Sequence, residues 1–130
     1  LIADTGNHQV RRVDRVAQRV HVVAGDGSAG IAGSGTARFV AITSPRSVAV
    51  DSFGNLFVAS GFTVRQVLAG DDGVATGDDE LITIYGNRRE DAPMSATACL
   101  SGIGVAPGDD RVSFTDVCSG FYVQLSREAL

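Results

Sequence analysis

Few residues in this chain have side chains suited to catalysis or ligand binding, and their spacing limits what they can do. His8 and His21 are the only histidines. Zinc catalysis takes three protein ligands and leaves one position open. Two histidines on different strands, with no third ligand beside them, do not build that site. His8 follows Asn7 in a turn and reads as a residue bonding locally. His21, within Val20-His21-Val22-Val23, reads as a surface position of a strand. Asp71, Asp72, Asp78 and Asp79 could offer hard oxygens to Ca²⁺, but the alternating spacing of a calcium loop is missing and a solvated hairpin tip is the expected role. The expectation is no cofactor, with Ca²⁺ at those four aspartates as the alternative. Gly25-x-Gly27-x-x-Gly30 matches the literal dinucleotide fingerprint, which works only where a helix N-terminus follows. Further Gly, Ala and Ser follow instead, through Gly33 and Gly35, so the segment reads as a connection between strands. Asp4 and Asp116 end equivalent strands, with Ser60 in the slot between them. A recurring Asp suggests a repeated bond to turn amides more than a single general acid–base. No G-x-S-x-G nucleophile is present.

The 130 residues suit one domain. Apolar residues make up 44% and charged residues 20%, as in a globular chain and unlike a disordered one. No apolar run approaches the ~20 residues of a membrane helix, so no membrane span is expected. All 11 basic residues are Arg and the net charge is −4. The basic cluster Arg11, Arg12, Arg15 and Arg19 is interrupted by Val10, Val13, Asp14 and Val16. That pattern suits the outward face of strands, and it argues against a nucleic-acid partner, which needs a basic patch. The chain starts at Leu1, inside an apparent strand, so the expectation is a C-terminal piece of a longer protein.

These residues must be positioned by a repeat. Three segments align, starting at Leu1, Phe57 and Ser113, 56 residues apart each time. Each has an apolar run, then a small or acidic residue, a Gly-containing turn and a second apolar strand. Runs of Val, Ile, Phe and Thr bounded by Gly, Asp, Asn and Ser read as short strands. In strand order a, b, c and d, residues 1–25 hold b, c and d. Residues 45–86 hold a complete unit: Val48–Val50, Phe57–Ala59, Val64–Val67 and Leu81–Tyr85. Residues 100–125 hold a, b and c, with strand a near Gly104. Gly54 and Asp109-Asp110 supply tight turns between a and b. Four-stranded units in tandem point to a β-propeller.

The stretches LIADTGNHQVRRVD, VVAGDGSAGIAGSG and SPRSVAVDSFGNLFVAS resemble the NHL-repeat β-propeller family, with Asn7-His8 at the family's naming pair. The resemblance is carried mainly by residues 1–70, and residues 100–125 follow it loosely, like the C-terminal end of secreted bacterial NHL-type proteins. It implies an all-β partial propeller of about two and a half four-stranded antiparallel blades. The fold then needs partners for its open ends: upstream blades, or further copies of itself. Ring closure would come from an N-terminal strand serving as strand d of the last blade.

Cys99 and Cys118 lie 19 residues apart and match no metal or redox motif. A disulfide and a pair of buried thiols are the two readings. Reflecting Cys99 through the a–b turn near Asp109 lands one residue from Cys118. The layout thus favours a disulfide, which would close a loop of about 20 residues and contribute ~3 kcal/mol. The expected function is a non-catalytic binding or scaffold propeller, extracellular or periplasmic, with a protein or glycan ligand. Asn7, His8 and Arg46 are its candidate contact residues, on the face formed by the loops before strand a and between b and c. For Arg46 the role expected first is a salt bridge between blades, ahead of ligand contact. The alternatives are a metal-dependent lyase or hydrolase-type propeller enzyme, whose site would lie largely in other blades, and a self-assembling structural subunit.

Overall fold

The structure, a computed structural model, describes residues 1–30, 33–61, 63–86, 100–108, 110–116 and 121–126. The apolar β-branched runs form strands β1 (Ile2–Asp4), β2 (Gln9–Asp14), β3 (Arg19–Ala24), β4 (Gly35–Thr36), β5 (Pro45–Val50), β6 (Leu56–Ser60), β7 (Thr63–Val67), β8 (Glu80–Tyr85), β9 (Leu100–Val105), β10 (Val112–Asp116) and β11 (Phe121–Leu125). The only helical pieces among the described residues are short 3₁₀ turns at Thr5–Asn7, Ala37–Phe39 and Gly70–Asp72. Among the described residues between Gly30 and β5 there is no α-helix, only the 3₁₀ turn Ala37–Phe39.

All pairings are antiparallel and give three sheets, ordered β1-β2-β3, β4-β8-β7-β6-β5 and β11-β10-β9. The strands fall into three antiparallel sheets, and the all-β class agrees with the sequence reading. The middle unit departs from it. Gly35 and Thr36 pair with Leu81 and Glu80 as a fifth strand along the edge of β8. A free strand edge presents unpaired amides and carbonyls, and the linker between sheets satisfies part of it. β9 begins at Leu100, whose side chain is drawn into the core, and runs through Gly104. No sheet is closed, and the described residues form a stack of three open sheets rather than a completed ring.

Packing explains the stack. Every residue of β6 and β7 is buried. Strand alternation sends Leu56 and Val58 of β6 to one face and Phe57 and Ala59 to the other. On the first face, Leu56, Val58, Val67 and Leu81 meet Val10, Val23 and Ala24 of the first sheet, with Ala37 and Ile42 of the linker between them. On the second, Phe57, Ala59, Val64 and Ile84 meet Leu100, Val112 and Phe114 of the third sheet. Tyr85 contributes an edge-to-face contact with Phe114, with centroids 4.8 Å apart. The middle sheet is thus the filling of a three-layer sandwich.

One cation lies inside this core. Arg65 of β7 is fully buried, between cross-strand neighbours Val58 and Thr83. Its Nη2 donates to the Gly33 carbonyl at 2.9 Å and its Nη1 to the Ala41 carbonyl at 3.4 Å. Burial lowers its pKa from the usual arginine value, the direction expected when a charged group loses water. The carbonyls of the linker replace part of that lost hydration.

The hairpin joining β5 to β6 shows how local sequence sets the geometry. Asp51 Oδ1 accepts from the Phe53 and Asn55 amides, both at 2.9 Å, and Oδ2 accepts from Asn55 Nδ2. Asn55 Oδ1 in turn accepts from the Ala69 amide at 2.9 Å. Gly54 sits at φ +85°, and a Cβ there would overlap the Gly73 carbonyl. Gly54→Ala should therefore cost at least ~2 kcal/mol, from left-handed strain together with backbone overlap. Urea denaturation reads this as a lower midpoint, and an unchanged midpoint would contradict the close approach of the two turns.

Candidate functional site

The structure brings Asn7, His8 and Arg46 to one corner, where the turn between β1 and β2 meets the start of β5. Thr5 Oγ1 donates to the Pro45 carbonyl at 2.7 Å. His8, at φ 55°, caps the 3₁₀ turn, and its Nδ1 accepts from the Ser44 amide at 2.9 Å. The bond is long-range rather than local: it ties the first sheet to the middle one. Asn7 Nδ2 donates to both oxygens of Asp4, each at 3.0 Å, and Arg11 Nε pairs with Asp4 Oδ2 at 2.9 Å. Asp4 therefore holds side chains rather than turn amides, a correction to the expected Asx-type bond. The reason is reach: Arg11 pairs across from Ile2 and extends along the strand to Asp4.

Arg46 differs from its two neighbours. It occupies the β-bulge between Pro45 and Ser47, is exposed, and makes no ion pair among the described residues. Among the described residues the expected inter-blade salt bridge is not formed. Links between sheets come instead from hydroxyls, backbone and one buried carboxylate. Leu100 N donates to the Gly61 carbonyl at 3.1 Å and Ile103 N to Ser47 Oγ at 3.2 Å. Asp110, buried at the turn before β10, accepts from the Ser52 amide at 2.9 Å and from the Ser52 hydroxyl. Ser60 bonds the Thr43 amide and carbonyl through its hydroxyl.

The acidic stretch is distributed among separate bonds. Asp78 pairs with Arg38 at 3.0 Å. Asp79 accepts from the Thr76 amide and hydroxyl, and Asp72 from the Val74 amide. Asp71 lies in the 3₁₀ turn Gly70–Asp72. Among the described residues no group of three or more His, Cys, Asp or Glu gathers as a metal-binding set. Cys99 and Cys118 lie outside the described residues. β10 ends at Asp116 as expected.

Sequence reasoning missed a groove of about 640 Å³ between the first sheet and the loop leading into β8. Arg12, Val13, Asp14, Arg15, His21, Val22 and Val23 form one wall; Arg38 and residues 75–78 form the other. The basic cluster was visible in the sequence as Arg12 and Arg15, but Arg38 lies on a different segment and only the stacking brings it near. Arg38 is held at the rim by Asp78 and by the Phe39 ring, 4.8 Å from its guanidinium carbon.

No protein-family model matches the chain. No curated protein matches it either. Among solved structures, it is similar to an auxiliary nutrient binding protein from Bacteroides thetaiotaomicron, at 12% identity and a TM-score of 0.57. That match covers 86% of this chain and 31% of the other. The chain thus spans about a third of that neighbour's length. A likeness this distant speaks to fold alone, and it agrees with the β-sheet architecture. The NHL assignment gains no support from the family comparison.

The corner makes opposite demands on two residues. His8→Ala removes the acceptor of a half-buried amide and should destabilise the fold by about 1–2 kcal/mol. Arg46→Ala should stay within ~0.5 kcal/mol of the parent. Thermal unfolding of the two variants checks this, and a reversed order would contradict the assigned roles.

Proposed function

We propose that this chain is a non-catalytic binding and scaffold module, a run of propeller-type NHL-like blades within a longer exported protein. One observation carries the reading: the same inter-sheet link recurs. The turn between β1 and β2 bonds the start of β5, and Gly61, in the turn between β6 and β7, bonds the start of β9. A repeated turn-to-strand link is how a tandem array keeps a constant step from one unit to the next.

The first sheet supports continuation of that array. Ile2, Val13 and Val20 are 45%, 47% and 55% exposed, as expected of a face that packs on another blade or another copy. The structural neighbour is a nutrient binding protein, which is in line with a binding role. Binding is assigned to the end face around Arg46, where rigid sheets present an exposed cation on a strand bulge. A protein or a glycan is the ligand class, and a glycan is the one to test first.

Affinity electrophoresis through gels containing neutral and acidic polysaccharides tests this. The parent chain should be retarded in at least one gel, Arg46→Ala should migrate freely in it, and no reducing ends should be released. Unretarded migration in every gel, or release of reducing ends, would contradict the reading.

A further inference from the structure

We infer that the groove between the first and middle sheets is a binding site for a small organic carboxylate with an apolar or ring-shaped body. The inference rests on reading the chain as a binding module, but uses a surface different from the Arg46 end face. Its failure would therefore leave the polysaccharide result intact.

The chemistry of the lining points to that ligand. The groove's volume, about 640 Å³, lies within the range of small-molecule sites. Val23 and Ala75 are buried at its floor, and Val22 is half-buried beside them. An apolar body would gain from covering this floor. Nitrogen-bearing side chains stand around it. Arg12 and His21 are direct cross-strand partners between β2 and β3, so both stand on one face of the first sheet.

The acids of the groove are already engaged. Asp14 Oδ1 accepts from the Val16 and Ala17 amides at 3.0 Å each, and Asp78 is paired with Arg38. Arg12 is half-buried and Arg15 is exposed, and neither has an ion pair among the described residues. In a chain of net charge −4, two uncommitted guanidinium groups therefore face one concave surface. A planar guanidinium offers paired donors that match a carboxylate, and low-dielectric walls strengthen the attraction. The Phe39 ring and Asp78 fix Arg38 at the opposite rim, which limits how far the ligand body extends.

Titration of the isotope-labelled chain by NMR, with benzoate as the probe, tests this. Saturable shifts should appear at the Val13, Val22, Val23 and Gly77 amides. Arg12→Ala should weaken binding about tenfold, the loss of one charge-assisted pair, and Arg15→Ala serves as an exposed second variant. Benzyl alcohol, the neutral counterpart, should not saturate these shifts. Glucuronate against glucose repeats the comparison with a sugar ring, and saturation by either carboxylate supports the site and identifies the body it prefers. The inference is overturned if neither carboxylate saturates, if the neutral partners bind equally, if inorganic phosphate binds as tightly, or if both folded arginine variants bind like the parent.

Discussion

Both faces of the middle sheet are kept from water, and the rest of the architecture follows from that constraint. Antiparallel sheets commonly leave one face solvated. Here β6 and β7 have no solvated face: Leu56 and Val58 look toward the first sheet, Phe57 and Ala59 toward the third. A sheet apolar on both sides needs a layer against each. The third sheet answers with an apolar inner face, Val105, Val112, Phe114 and Leu125, and a polar outer one, where Tyr122 and Gln124 bond Ser113. The first sheet answers only in part, because its outer face keeps Ile2, Val13 and Val20 exposed.

Burial of this kind makes polar residues expensive unless they are paired. Arg65 shows how the chain meets part of that demand, its Nε being buried without a partner. Its guanidinium is held by carbonyls of Gly33 and Ala41, both in the linker from the first sheet to the middle one. The linker is therefore a structural part of the core. The Gly25 amide bonds the Ala37 carbonyl, Arg38 N bonds the Gly77 carbonyl, and Gly30 lies so close to Ala41 that a Cβ would collide with it. The same folding of the linker brings Arg38 to the wall opposite Arg12, so the groove follows from the way the core is closed.

Much of this was legible in the sequence. The 56-residue spacing aligned the segments that hold β1, β6 and β10, and the Val, Ile and Phe runs found ten of the eleven strands among the described residues. The missing one, β4, is Gly35-Thr36, two residues with no apolar signature that pair only because an edge is available. The burial of Arg65 was illegible for a similar reason: an arginine in a short strand reads as solvent-facing until a second layer is known to cover it. His8 was recognised as a turn residue, but its partner Ser44 lies 36 residues away and no local pattern connects them. Strand order placed Asn7, His8 and Arg46 near one another, but the bulge that holds Arg46 is nothing that spacing reveals.

The most direct test of the buried middle sheet is native-state amide hydrogen exchange. If both faces are covered, amides paired in β6 and β7 exchange only through global unfolding, and their protection matches the stability from denaturation. Amides of the edge strands β3 and β11 open at lower free energy. Exchange in residues 56–60 and 63–67 as rapid as in those edge strands would contradict the three-layer account.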